Sequence, residues 1–416
     1  MSQIPNWLKI DNAGKIFPST SSSQDTGVFR FTCELTEPVQ EGPLQLALDQ
    51  TLKQFPHFLY VLRRGLFWYY LEVSDLTPKI HPENKGICAQ LFYRNRRTLL
   101  FDVSFYDRRI HFEVYHVLTD GTGAIQFFQF LICSYLALVH PDLGTDLTDG
   151  LSHVPIDRRA EDSFRKYYKR GKGEKSKDPG NAYHLHGIYS EEYRVTEGLM
   201  SCREMIALAK EHHTTLTVLL CAFLILSIHQ EMPLYKEKKA IVITVPVNLR
   251  KYFPSDTVRN FFGSIRVSYR FGRGPDTLND IIQSLSASFQ RELTQERLSG
   301  KISSLMSVER NPFAKIVPLS LKNLCLRTAR YISNLGETIV VSNIGKIDMP
   351  GQVSPYLRHM SVFSSTAKLQ LCVCTCEDVL SVGFSSRFED TDIQRNFFRM
   401  LTDLGIRVEI KSNIPD

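Results

Sequence analysis

The 416-residue chain is 43% hydrophobic and 23% charged, a balance that excludes a disordered or fibrous polypeptide and leaves room for two or three domains with cores of their own. Its formal net charge of +6 is spread over many side chains, a mild pull toward anions that a phosphorylated cofactor satisfies as well as a nucleic acid does. No charged stretch leading into an apolar core opens the sequence, so no signal peptide is expected, and nine cysteines without a Cys-x-x-Cys pair point to reduced thiols in a cytoplasmic setting.

In chain order, TGVFRFTCEL reads as a strand and GPLQLALDQTLKQFP as an amphipathic helix stopped at Phe55-Pro56. HFLYVLRRGLFWYYLEV predicts a hairpin around Arg63-Arg64-Gly65, and RTLLFDVSFYDRRIHFEVYH a second one turning at Asp107-Arg108-Arg109. The apolar stretches AIQFFQFLICSYLALV and TLTVLLCAFLILSI fall short of the ~20 residues of a bilayer span and read as buried core helices, so no membrane span is expected. Residues 157–180 hold nine basic and five acidic side chains and end in Pro-Gly. They read as a solvated connector lying outside both cores, the alternative being a docking patch for a phosphate or a carrier protein.

Beyond this connector, helices are predicted over about 199–211 and 215–230 and between about 276 and 334. Strands are predicted at AIVITVPV, TIVVSN, MSVFSS, LQLCVCTC and LSVGFSS, with a helix at DTDIQRNFFRMLTDL. The triplet Cys372, Cys374 and Cys376 alternates along one strand face, a buried-strand pattern rather than a metal-binding turn. The mixture in both halves predicts an α/β (α+β) fold of two lobes, 1–156 and 181–416, joined by the 157–180 connector.

The stretch YHVLTDGTGAIQFFQF carries the chemistry. Ile110, Phe112 and Val114 alternate with Arg109, His111, Glu113 and Tyr115, so period two turns His116 toward the interior at the strand's end. A helix with a core stripe of Ile125, Phe128, Ile132, Leu136 and Val139 follows. The turn between holds Asp120-Gly121, where Gly121 permits a positive φ. A buried Asp120 requires a cationic or hydrogen-bonding partner elsewhere in the chain. The alternative is a core histidine beside a helix-capping aspartate. GxSxG and HExxH motifs are absent, and Gln126 breaks a dinucleotide-type glycine fingerprint.

Two further clusters follow: Pro246-Val247-Asn248-Leu249-Arg250 with Arg259-Asn260-Phe261-Phe262-Gly263, and Ser342-Asn343-Ile344-Gly345 at the end of a strand. With His116-x-x-x-Asp120-Gly121, in this order and at wide spacing, the sequence resembles the chloramphenicol-acetyltransferase-like superfamily over nearly its whole length. The nearest likeness is to its alcohol O-acetyltransferase and stand-alone condensation-like branch. The resemblance implies two similar lobes, each a mixed sheet backed by helices, with a tunnel between them and the histidine midway.

The resemblance also implies roles. His116 matches the general base that deprotonates an alcohol or amine as it attacks a thioester carbonyl. Asp120 matches a structural aspartate paired with an arginine, for which Arg250 is the candidate. Gly121 matches the turn glycine, Asn260 and Gly263 belong to the site's frame, and Ser342 or Asn343 falls near the oxyanion-stabilising position. The implied donor is an acyl-coenzyme A, acetyl-CoA foremost, or an acyl group on a phosphopantetheinyl carrier, as a substrate rather than a bound cofactor. The implied partners are a small-molecule acceptor and, in the second case, an acyl carrier protein; no nucleic acid and no metal are expected. Tyr115 stands where condensation domains usually have the first of two histidines, which fits single-histidine transferases. A catalytically silent binding module of the same fold is the third reading.

Overall fold

The computed structural model describes residues 5–144, 146–149, 151, 161–169, 182–272, 274–310 and 316–414. Strands are numbered in chain order as β1 (Trp7–Lys9), β2 (Val28–Leu35), β3 (Tyr60–Arg64), β4 (Tyr69–Val73), β5 (His81–Pro82), β6 (Phe101–Tyr106), β7 (Arg109–Tyr115), β8 (Tyr189–Ser201), β9 (Ile241–Asn248), β10 (Phe262–Tyr269), β11 (Ile339–Ile347), β12 (Leu357–Ser364), β13 (Leu369–Cys376), β14 (Val379–Phe388) and β15 (Glu409–Ser412).

One mixed sheet has the order β12–β2–β7–β6–β5, a second the order β10–β9–β11–β13–β14–β8–β15, and β1, β4 and β3 form a small third sheet. Two cores follow, one on each large sheet. The predicted α/β fold with two lobes, each a mixed sheet backed by helices, is the one observed.

β7 shows how the first lobe is made. Its apolar face of Ile110, Phe112 and Val114 is fully buried, with the Phe112 ring stacked on Phe127 and Phe128 of the helix Gly121–Val139. Its polar face is buried too, because a partner waits for it. Arg30 Nε donates to Glu113 at 2.8 Å and Arg30 Nη1 to Glu83 at 2.5 Å, while Thr32 bonds the His111 ring at 3.0 Å. Burying these charges without partners costs several kcal/mol each, so Arg30 is what lets the strand be covered on both sides.

The helix Gly121–Val139 has 19 residues and is apolar enough to cross a bilayer by length and composition, contrary to the reading that it falls short. Phe127, Phe128, Leu131, Ile132 and Leu136 pack into the first core. The helix Leu216–Gln230 is apolar on all sides and is buried from Val218 to Ile228 beneath the larger sheet, the environment such a helix requires.

Three expectations need correction. First, β12 lies in the C-terminal half of the chain but pairs antiparallel with β2, Met360 opposite Cys33, and so completes the N-terminal sheet; 1–156 and 181–416 describe the lobes only with this strand exchanged. Second, most of 157–180 lies outside the described residues, but the part from 161 to 169 is not a solvated connector. It holds the short helix Ser163–Tyr167, whose Phe164 is fully buried against Phe261. Two apolar rings outweigh the surrounding charges. Third, β8, β10 and β15, with the short β1 and β5, were not expected, and the helix foreseen from 199 begins at Cys202 because 189–201 is strand. The cysteine strand β13 sits between the cores: Cys372, Cys374 and Cys376 face the first, Leu369, Leu371 and Val373 the second.

Candidate active site

After β7 the chain turns, with Leu118 N–H donating to Tyr115 O at 2.9 Å and His116 N–H to Gly27 O at 3.0 Å. Asp120, in extended conformation, caps the helix Gly121–Val139: its Oδ1 accepts from the Thr122 and Gly123 amides at 3.1 and 3.2 Å. Satisfying these otherwise unpaired amides is what an N-cap carboxylate does. Gly121 does not adopt the positive φ expected of it. The tighter constraint is at Gly123, where a Cβ would lie 2.1 Å from Val258 O and 2.2 Å from Thr119 Oγ1. The glycine therefore lets the segment before β10 press against the helix.

The other carboxylate oxygen of Asp120 reaches the second half of the chain. Arg250 Nη1 donates to Oδ2 at 2.8 Å, and so does Phe261 N–H at 2.8 Å. The guanidinium is held in turn by Thr257 O at 3.1 and 2.8 Å and Arg259 O at 2.6 Å. Every strong acceptor site on this buried carboxylate is used, which is the condition under which a buried ion pair is tolerated. Asn248 completes the junction: its Oδ1 accepts from Arg250 N–H at 3.0 Å and its Nδ2 donates to Thr122 Oγ1 at 3.0 Å.

His116 sits beside this pair in an aromatic slot. Phe17 stacks on the imidazole at 4.8 Å between centroids, Phe29 lies at 4.4 Å and Phe262 at 5.7 Å. Burial pushes the ring pKa down from its ordinary 6.5 to about 4, against an opposing pull from the Asp120 charge and from hydrogen bonding to Asn260 and the Thr119 backbone. The imidazole is therefore neutral at pH 7. Nδ1 is sealed from solvent while the residue as a whole is only half-buried. Asn260, almost fully buried, donates through Nδ2 to His116 O at 2.9 Å and to Asp11 Oδ2 at 3.1 Å. Asp11 itself is buried, takes the Gly14 amide at 2.6 Å and faces Arg259 at 3.8 Å.

Of the residues expected near an oxyanion, Asn343 is already committed. Its Nδ2 donates to Thr217 Oγ1 at 2.8 Å and its Oδ1 accepts from Gly345 N–H at 2.8 Å, closing a bulge in β11 where Gly345 has φ +88°. Ser342, half-buried and paired through the backbone with Cys372, has a hydroxyl that makes no side-chain hydrogen bond among the described residues. Of the two, Ser342 is the one with an uncommitted hydroxyl among the described residues. Ile344 of the same strand reaches the helix start, 2.9 Å from where a Gly121 Cβ would stand. Gly263 makes only an ordinary approach, 3.4 Å from Leu249.

Two cavities lie near the site, and neither has His116 itself in its wall. One, of about 740 Å³, is walled by Phe262 and Gly263 together with Arg266, Lys301 and Arg330. The other, of about 840 Å³, is walled by Ile10, Lys15, Trp68, Tyr69 and Tyr70; Asp11, next to Ile10, connects it to His116 through Asn260. Asp11, Phe17 and Phe29 were missed in the sequence, and nothing in their local pattern marks them.

Neither a family model nor a curated protein matches the sequence. Solved structures do match in fold. Polyketide synthase associated protein 5 of Mycobacterium tuberculosis is similar at 15% identity and TM-score 0.61, over 97% of this chain and 99% of that one. Fusarium sporotrichioides TRI101, complexed with coenzyme A and T-2, is similar at 9% identity and TM-score 0.64, over 97% and 99%. The first condensation domain of the CDA synthetase is similar at 14% identity and TM-score 0.62, over 97% of each chain. The two-lobed fold is thus one that this chain shares with these solved structures, a coenzyme A complex and a condensation domain among them.

Proposed function

We propose that the protein is an acyltransferase that moves an acyl group from a thioester, acyl-coenzyme A and acetyl-CoA foremost, to an alcohol or amine, with His116 as general base. The observation that carries this reading is a neutral imidazole held by rings from both halves of the chain beside the buried Asp120–Arg250 pair, with its Nδ1 sealed and a cavity walled by its neighbour Phe262. In the proposed step His116 Nε2 takes the acceptor proton as the acceptor oxygen or nitrogen attacks the thioester carbonyl carbon. The carbonyl π electrons move onto oxygen, where the Ser342 hydroxyl is the candidate donor. Collapse breaks the carbon–sulfur bond, and the thiolate leaves with the proton held by the imidazolium. Asp120 supplies the compensating charge while the ring is protonated, and Arg250, Asn248 and Asn260 are positioning residues.

Arg266, Arg291, Lys301 and Arg330 line the cavity beside Phe262 together with Glu292 and Glu337, with Lys301 paired to Glu292 at 3.3 Å and Arg266 to Ser333 at 2.8 Å, so a phosphorylated donor would meet Arg291 and Arg330 first. TRI101 was complexed with coenzyme A, which supports the same donor here. Tyr115 packs flat on Phe92 and bonds Ser21 through its hydroxyl, a structural use of the position. This fits a single-histidine transferase and leaves the carrier-bound donor as the second arm of the test. The test is intact-mass detection of acyl transfer from coenzyme A thioesters, and from an acyl carrier protein, to pooled alcohols and amines. Product formation that disappears in His116→Ala supports the reading. A folded wild-type protein inert with both donors points to the binding module.

A further inference from the structure

The helix Leu319–Leu335 is mounted inside out. At 100° per residue, Leu321, Leu324, Tyr331, Ile332 and Leu335 fall within one arc of about 100°, and all five are between 46% and 67% exposed. A surface helix normally buries such a stripe. Here the polar side is turned inward. Arg327 Nε donates to Ser19 O at 2.7 Å, Asn323 bonds Ser19 and Tyr69, and Ser333 accepts from Arg266. Arg330 and Ser333 line the cavity beside Phe262. Leu319 is the helix's one buried side chain among the described residues, and its amide bonds Leu66 O at 3.0 Å.

The charges say what covers this face. The 17 residues contain Lys322, Arg327 and Arg330 and no carboxylate. Lys322 and Arg327 flank the apolar arc on either side. Lys322 lies over the Trp68 ring at 3.5 Å and Arg64 bonds Ser320 at 3.2 Å, so the rim remains cationic. Two copies meeting through this face would bring like charges together. An apolar stripe edged by long cationic side chains is instead the pattern of a helix lying in the plane of an anionic lipid surface. We infer that the Leu319–Leu335 helix docks the protein on anionic membranes, apolar side down, without spanning them. The inference does not depend on the acyl-transfer reading. Its consequence for the cavity is that the wall formed by Arg330 and Ser333 would lie just above the headgroups.

The full-length protein should float with vesicles of phosphatidylcholine and phosphatidylglycerol, float poorly with phosphatidylcholine alone, and be released by salt. Leu324→Asp with Ile332→Asp removes two exposed apolar groups and adds repulsion. It should weaken vesicle binding by roughly tenfold or more at an unchanged melting temperature. Wild type that stays with the soluble fraction, or a double variant that floats as well as wild type, overturns the inference. So does a dimer in solution that the same double variant converts to monomer, since that result assigns the face to a second copy.

Discussion

The Asp120 carboxylate and the Arg250 guanidinium, 130 positions apart in sequence, meet at 2.8 Å across the junction of the lobes. Both are nearly buried, with side-chain exposures of 6% and 10%. The same carboxylate caps the helix that follows His116, so one group sets both the helix start and the contact between halves.

Removing either charge leaves the other buried without its partner. Asp120→Ala should cost roughly 3–5 kcal/mol of unfolding free energy. Asp120→Asn, which keeps an oxygen for the Thr122 and Gly123 amides, should cost less. Urea unfolding of both variants, with Arg250→Met and the double substitution, checks this. A cycle in which the two sites contribute independently would show that the pair is not coupled.

His116→Ala should lower acyl transfer by roughly 10²–10⁴-fold. The ring is stacked among Phe17, Phe29 and Phe262, so its loss also leaves a void, and a modest fall in melting temperature is expected. The measurement is kcat at a temperature where both proteins are fully folded. Activity that follows only the folded fraction would make His116 a core residue and nothing more.

The pH dependence has a definite sign. The folded-state pKa of His116, about 4, lies below the ordinary 6.5, so the unfolded chain binds more protons between these values. Stability is therefore full above pH 6.5 and is lost as pH falls toward 4, by up to about 3 kcal/mol. His111, pushed down to about 2 by burial and by Arg30 and Arg109, adds to the same loss. While the protein stays folded, kcat/KM should hold level through pH 6.5 and decline only near 4. An acid limb at 6.5 would mean that the catalytic ring is solvated.

Gly123 and Gly263 should respond differently to alanine. A Cβ at Gly123 would meet backbone at 2.1 Å, whereas one at Gly263 meets only the flexible end of Leu249 at 3.4 Å. Gly123→Ala is expected to cost about 1–3 kcal/mol or more through overpacking, and Gly263→Ala to lie within about 0.5 kcal/mol of wild type. Thermal unfolding of the two variants side by side decides it.

The order of strands and helices around His116 was legible because period two and period 3.6 are local properties of a few neighbouring residues. The need for a partner to Asp120 was legible as well, since a bare carboxylate cannot be buried at reasonable cost, whatever the fold. β8 escaped notice because its outer end, Tyr189-Ser190-Glu191-Glu192-Tyr193, carries exposed carboxylates on a two-sided strand. β10 was hidden because its residues directly continue a loop that already held Arg259 and Asn260. What only the tertiary structure decided is the company His116 keeps. Asp11 with Phe17, Phe29, and Asn260 with Phe262 come from three stretches of the chain, all far from His116 in sequence, and β12 crosses from one half of the chain to complete the other half's sheet. Whether the imidazole is neutral, which of its nitrogens is sealed and which of Ser342 and Asn343 is free all depend on distances set by packing the two lobes together. No local pattern encodes those distances, because each is fixed by side chains far away in sequence, 126 to 144 positions in the case of Asn343–Thr217, Asp120–Arg250 and His116–Asn260.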